Sequence, residues 1–155
     1  MGLFDVGINE RSITHKFAEY LQQEFPDYNV DCEYNRHGFD KKILEIPKNE
    51  YPSWDDKEAK TVYPDIVIHK RKTNSDNLVV IEVKKSNSSQ SLRKFDEKKL
   101  QVFTNKTYGC SSEMHYCYDY GLFIEFDLEN LKSHIEIFEN GIEIDEFEFA
   151  VESST

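Results

Sequence analysis

Residues 79–86 read VVIEVKKS, and this stretch carries both a strong strand signal and an unusual chemical feature. Its aliphatic residues are typical of a buried β-strand, yet Glu82 and Lys84 interrupt them. Because side chains on a strand alternate between faces, Glu82 and Lys84 point the same way, roughly 7 Å apart. Burying a carboxylate and an ammonium group is costly without compensation. The pair is therefore either a structural ion pair or part of a functional site.

The composition predicts one globular domain, residues 1–155. The chain is 38% hydrophobic and 32% charged, and it is long enough to bury a core. No segment approaches the roughly 18 apolar residues of a membrane span, and MGLFDVGINE lacks the features of a signal peptide. Three cysteines without a CxxC pair predict thiols in a reducing compartment, and Cys110, His115 and Cys117 lack the fourth ligand of a soft-metal site. We therefore expect a cytoplasmic protein.

Charge is unevenly distributed along the chain. The net charge of −11 opposes non-specific binding to polyanions. Residues 84–106 nevertheless contain seven basic and two acidic residues, whereas residues 125–152 contain ten acidic residues and one lysine. Lys85, Lys94, Lys98 and Lys99 form a candidate nucleic-acid-binding surface, although charged helix faces are often simply solvated.

The periodic segments predict a mixed α/β protein. A helix is predicted over residues 9–25, capped by Asn9 and followed by Pro26. Its apolar arc contains Ile13, Phe17, Tyr20 and Leu21, with Glu10 in the same arc. Strands are predicted within residues 28–35, 41–47, 61–70, 77–86 and 120–128, and a second helix within residues 88–104 has Lys99 inside its apolar arc. Residues 134–149 predict a hairpin that turns at Asn140-Gly141.

Asp65 is the expected companion of Glu82. It follows Pro64 at the start of the preceding strand, so hairpin pairing would bring the two carboxylates together. Two adjacent carboxylates do not both stay ionised without a cation between them. Mg²⁺ prefers carboxylate oxygens and keeps several waters, and a nearby lysine such as Lys84 can polarise one of them. Such a group has the components required to hydrolyse a phosphodiester.

These residues resemble the PD-(D/E)xK nuclease superfamily, which has the restriction-endonuclease-like fold. PDIVIHK followed by VVIEVKK matches its motif at Pro64-Asp65 and Glu82-Val83-Lys84, with Glu82 17 positions after Asp65. NERSITHKFAEYL resembles the first helix of the Holliday-junction-resolvase branch, with Glu10 in the matching position. The resemblance covers a core of about residues 8–126 and implies a mixed central sheet flanked by helices. The acidic C-terminal β-hairpin, about residues 133–150, lies outside that core.

The resemblance also implies roles for individual residues. Asp65, Glu82 and the backbone carbonyl of Val83 would bind Mg²⁺ or Mn²⁺, and Glu10 would bind a metal or order water. Lys84 would orient the attacking water and stabilise charge on the phosphate. The expected activity is that of a metal-dependent DNA endonuclease.

Alternatives remain open at this point. Glu82 and Lys84 could form a structural ion pair, and helix capping could explain Glu10. A catalytically inactive nuclease-fold protein that serves as an interaction scaffold is the alternative function. A homodimer is also expected, because cutting two strands requires two sites and a hairpin edge can pair with its copy.

Overall fold

A mixed sheet with a helix on each face forms the framework of the protein. The computed structural model describes residues 9–32, 36–37, 40–41, 64–71, 76–106 and 117–150. The elements are α1 (Glu10–Glu24), β1 (Asn29–Cys32), β2 (Arg36–His37), β3 (Asp40–Lys41), β4 (Ile66–His69), β5 (Asn77–Lys85), α2 (Gln90–Thr104), β6 (Tyr120–Asp127), β7 (Lys132–Glu139) and β8 (Ile142–Ala150). Six of these strands form one sheet in the order β1-β4-β5-β6-β7-β8, and β2 pairs with β3. The predicted α/β class is confirmed.

Strand β5 lies inside this sheet and determines which side chains face each helix. It pairs antiparallel with β4 and parallel with β6, and α2 lies in the long connection that a parallel pair requires. Val80 packs in the core beneath α2, whereas Ile81 and Val83 pack in the core beneath α1. By alternation, Glu82 and Lys84 face α2. The carboxylate and ammonium groups noted in the sequence therefore lie on one face.

Helix α1 begins where the sequence predicts. The Asn9 side chain accepts a hydrogen bond from the Ser12 backbone N–H at 2.8 Å, so it caps the first turn. Ile13 and Ala18 are buried against the sheet. Tyr20 was predicted on the apolar face but is 47% exposed, with Lys16 Nζ 5.5 Å from its ring centre. The buried face of α1 is therefore narrower than the apolar arc that the sequence predicts.

Helix α2 packs closely against β6. The Ser89 side chain caps its first turn, and Leu100 and Phe103 are buried in the core. A Cβ atom at Gly121 of β6 would lie 3.1 Å from Thr104 and 3.3 Å from Leu100. Glycine permits this close approach, because with any larger residue the Thr104 and Leu100 side chains would have to shift by a few tenths of an ångström.

The C-terminal hairpin extends the same sheet beyond β6. Asn140 and Gly141 both have positive φ angles, 51° and 82°, as a type I′ turn requires. The prediction of a hairpin turning at this dipeptide is confirmed. Strand β8 is the outermost strand of the sheet as described, and it exposes Ile142, Ile144 and Phe149.

One row of residues crosses four strands on the α2 face. Glu82 pairs with Phe123, Phe123 with Glu136, and Glu136 with Glu146. Phe123 is fully buried in the core beneath α2. The row therefore has acidic side chains on both sides of one buried aromatic ring.

Several expectations lie outside the described residues, and one is wrong. Of the strand predicted over residues 41–47, only Lys41 is among the described residues. Cys110 and His115 also lie outside the described residues. Cys117 is disulfide-bonded, contrary to the prediction of thiols, because three cysteines still allow one bridge. In the part of the chain that the structure describes, neither helix has the length and apolarity to cross a membrane.

Candidate active site

Asp65 and Glu82 are brought together by the register of β4 and β5. Ile66 pairs with Ile81, which places the preceding Asp65 opposite Glu82. Asp65 Oδ2 accepts a hydrogen bond from the Val83 backbone N–H at 2.8 Å. Glu82 is only 1% exposed. The structure therefore places both carboxylates of the predicted motif side by side on one face of the sheet.

Lys99 of α2 forms an ion pair with Glu82. Its Nζ lies 3.0 Å from Glu82 Oε2 and 3.2 Å from Asp96 Oδ1. Lys99 is 6% exposed, so it does not lie on an exposed surface with the other predicted lysines. Its long side chain extends from the apolar face of α2 and neutralises buried acids instead.

Lys84 connects α1 to the same group of residues. Its Nζ lies 3.2 Å from Glu10 Oε1 and 3.2 Å from Asp96 Oδ2. The contact with Asp96 Oδ2 is an ion contact without hydrogen-bond geometry. The other oxygen of Glu10 accepts a hydrogen bond from the Lys85 backbone N–H at 3.3 Å. Glu10, predicted from the first helix, therefore reaches the end of β5.

These contacts define one connected group, which we call the acid–lysine cluster. It contains four acids and two lysines: Glu10, Asp65, Glu82, Asp96, Lys84 and Lys99. With every side chain ionised, four negative and two positive charges give the cluster a net charge of −2. A divalent cation would bring that charge to zero.

Burial raises the pKa of the Glu82 carboxyl well above its usual range. Lys99 opposes this rise, whereas the carboxylates of Asp65 and Asp96 add to it. Burial also raises the pKa of Asp65, opposed by Lys99 and by the Val83 hydrogen bond. Burial lowers the pKa of the Lys99 ammonium, but Glu82 and Asp96 outweigh burial and keep that pKa above its ordinary value. The cluster therefore favours uptake of positive charge, either as a proton or as a metal ion.

Glu82 also has an oxygen available for such a cation. Its Oε1 is buried and has no hydrogen-bond partner among the described residues. Asp65 borders a cavity of about 120 Å³ that Glu10, Thr14 and His15 also line. Carboxylate oxygens are the ligands that Mg²⁺ and Mn²⁺ prefer. The residues present therefore fit a divalent ion.

The remaining lysines of the predicted nucleic-acid surface do not share one environment. Lys94 is exposed on α2, whereas Lys85 and Lys98 are half-buried. With Lys99 directed into the cluster, the basic surface is smaller than the sequence predicted. Its contact with a phosphate backbone stays a prediction.

Sequence reasoning missed Asp96, although a signal was present. Asp96 lies between Leu92 and Leu100 at helical spacings of four, just as Lys99 lies between Phe95 and Phe103. Charged residues with apolar neighbours one turn before and one turn after share the apolar face. Asp96 and Lys99 are three residues apart on this face, and this spacing predicts a buried ion pair next to the sheet.

Comparison of the chain with family models, with curated proteins and with solved structures finds no match. The resemblance to the PD-(D/E)xK superfamily therefore rests on the sequence motif alone and stays a prediction.

Proposed function

We propose that the protein is a divalent-metal-dependent nuclease whose active site is the acid–lysine cluster. The observation that carries this proposal is the charge imbalance around Glu82. Four acids face two lysines, and one buried oxygen of Glu82 has no partner among the described residues. Lys99 pairs with the other oxygen, Oε2, but leaving Oε1 of a buried carboxylate without a donor is destabilising, so its retention favours a bound cation over a purely structural role.

Individual residues have distinct roles in this proposal. Asp65 and Glu82 would hold Mg²⁺ or Mn²⁺, with the Val83 carbonyl as the further ligand that the motif implies. When bound, such an ion stabilises charge on a phosphate and lowers the pKa of a coordinated water. Lys84 would stabilise charge that develops on the phosphate. Glu10 contacts Lys84 at 3.2 Å and thereby holds the ammonium group in position.

Nucleic acid is the proposed substrate because the chemistry of the cluster suits a phosphodiester. The overall charge of −11 opposes long-range attraction to DNA, so binding would depend on local contacts such as Lys94 and on the metal. The choice of DNA rather than RNA as the substrate follows from the resemblance to the PD-(D/E)xK superfamily. Homodimerisation through β8 stays a prediction; its acidic side chains would repel a second copy unless a cation intervened.

The direct test is cleavage of plasmid, linear duplex, junction and single-stranded DNA with Mg²⁺ or Mn²⁺. Asp65→Asn and Lys84→Ala are each expected to reduce cleavage by about a hundredfold or more, as removal of one transition-state contact does. Asp119→Asn and Lys132→Ala are the matched controls, because both side chains are exposed and lie outside the cluster. Circular dichroism and thermal unfolding establish that each variant folds.

Two results would contradict the proposal. Cleavage that persists in both Asp65→Asn and Lys84→Ala would show that the activity arises elsewhere or from a contaminant. Equal losses in the control variants would show that the effect is not specific to the cluster.

A second candidate function is a nuclease-fold scaffold without catalysis. Its supporting observation is that the Lys99 ammonium already contacts Glu82 Oε2 at 3.0 Å, where it can act as a permanent counter-ion. The exposed apolar residues of β8 would then offer a docking edge. Wild-type protein that binds neither Mg²⁺ nor Mn²⁺ by calorimetry and cuts none of the substrates would favour this function.

A further inference from the structure

A second group of charged side chains lies on the α2 face of β6, β7 and β8. Arg93 of α2 is at its centre. The guanidinium contacts Glu125 Oε2 at 2.6 Å, Glu136 Oε1 at 3.0 Å and Glu97 Oε1 at 3.3 Å, and it stacks 5.1 Å from the Phe123 ring centre. Arg93 therefore attaches α2 to two strands, but it brings one positive charge to three acids.

His134 and two glutamates lie beside this arginine. His134 Nε2 is 3.2 Å from Glu136 Oε1 and 3.6 Å from Glu146 Oε2. Ligand atoms of these three residues all lie within 4.8 Å of one another. Zinc bonds of about 2.0–2.1 Å in a tetrahedron place neighbouring ligand atoms about 3.3 Å apart. The two His134 separations, 3.2 Å and 3.6 Å, are close to this value, and the remaining ligand atoms lie within 4.8 Å, so small side-chain movements would complete a metal coordination sphere.

Glu136 gives an independent indication that this group of residues can bind a cation. The residue is 6% exposed, and its Oε2 has no hydrogen-bond partner among the described residues. Arg93 and His134 both contact the other oxygen, Oε1. Leaving one oxygen of a buried carboxylate unpaired is costly, and a metal ion would satisfy it.

We propose that His134, Glu136 and Glu146 form a binding site for a divalent transition-metal ion, with Zn²⁺ as the best match. One imidazole nitrogen with two carboxylates suits zinc, whereas Mg²⁺ and Ca²⁺ favour oxygen ligands alone. The ligands come from β7 and β8, so the ion would hold the two arms of the hairpin together. The site is separate from the acid–lysine cluster and does not rest on the proposed nuclease function.

The surroundings of His134 agree with a ligand role. Glu148 Oε1 lies 4.0 Å from His134 Nδ1, the ring nitrogen that a metal on Nε2 leaves available. A carboxylate at that nitrogen orients a metal-binding histidine when it closes to hydrogen-bond distance. Glu148 is exposed and pairs with His134 across β7 and β8, so a side-chain rotation could close the gap.

The test is zinc titration of the untagged 155-residue chain after chelator treatment, at pH 7.5, by calorimetry and by competition with a chromogenic chelator. With excess Mg²⁺ present to occupy the acid–lysine cluster, we expect one zinc ion per chain. His134→Gln and Glu146→Gln should each weaken binding by at least about tenfold, since even residues that only orient metal ligands have effects of this size. Glu146 is suited to this test because its side chain is 63% exposed and its replacement leaves the core intact.

Two controls separate this site from general acidity and from the acid–lysine cluster. Asp145→Asn removes the same charge from the opposite face of the same exposed strand and should retain wild-type zinc affinity. Asp65→Asn alters the other site and should still bind zinc through His134. Co²⁺ should also give intense visible absorption bands that disappear in His134→Gln. Unchanged zinc affinity in His134→Gln and Glu146→Gln, or loss of binding in Asp65→Asn instead, would overturn the proposal. Absence of zinc binding by the wild type would show that the three residues form ion pairs only.

Discussion

Replacement of Lys99 with methionine is expected to destabilise the metal-free protein by about 3–5 kcal/mol, the usual effect of removing one partner from a buried ion pair. Lys99 Nζ lies 3.0 Å from Glu82 and 3.2 Å from Asp96. At an effective dielectric constant of about 20, each contact provides about 5 kcal/mol of attraction before desolvation is counted. Methionine restores most of the volume and removes the desolvation penalty of the ammonium, but it leaves the acids without their nearest cation.

The measurement is thermal unfolding in EDTA at neutral pH, where a loss of this size corresponds to a fall of roughly 10 °C in the midpoint. Lys94→Met is the matched control, since Lys94 is exposed on the same helix and such surface changes alter stability by at most about 0.5 kcal/mol. Mn²⁺ should stabilise Lys99→Met more than wild type, because the cluster without Lys99 has a net charge of −3. Identical unfolding midpoints for Lys99→Met and Lys94→Met would refute the view that Lys99 neutralises buried acids.

Further predictions concern pH and the hairpin turn. Because burial raises the pKa of Glu82 above 4.5, the folded state binds a proton more tightly than the unfolded state, and stability from this group falls as pH rises beyond 4.5. Glu82→Gln should therefore flatten this decline in urea unfolding measured with EDTA; parallel wild-type and variant profiles would contradict it. Asp31 should behave in the opposite way: burial opposes ionisation, but hydrogen bonds led by Arg71 hold its pKa well below 3.8. Its contribution is present above pH 3.8 and is lost in more acidic solution, so Asp31→Asn should remove this acid-dependent part of the unfolding profile, and an unchanged profile would exclude it. Gly141→Ala should destabilise the protein by about 1 kcal/mol or more in denaturant unfolding, since φ is +82° and a Cβ atom would meet Asn105 at 3.0 Å; a neutral or stabilising effect would show that the turn relaxes.

The sequence predicted those parts of the fold that depend on local signals. Asn9 identifies the start of α1, Asn140-Gly141 identifies the hairpin turn, and the aliphatic run around Glu82 identifies a central strand. Each signal lies within a few residues of the structure that it determines. The sequence also predicted that Asp65 lies opposite Glu82, because this position depends on only one antiparallel strand pairing.

Sequence reasoning was less successful where a contact depends on packing between separate elements. The pairing of Lys99 with Glu82 requires the rotation of α2 over β5, which composition alone does not specify. The group formed by His134, Glu136 and Glu146 requires the register of β7 with β8, which shifts between Ile137 and Phe138. Helical arcs and strand alternation give a side chain's face, but the partner across an interface follows from the whole sheet.

Glu82 and Glu136, at the two ends of the row through Phe123, are electrostatically coupled. They are two strand spacings apart, which is about 10 Å. The buried Phe123 ring keeps water from the space between them, so dissolved salt screens them weakly. At an effective dielectric constant of about 20, two unit charges at that separation interact by about 1.7 kcal/mol, somewhat more than a tenfold change in affinity. A cation bound at one end should therefore weaken cation binding at the other, and the reverse effect must have the same size.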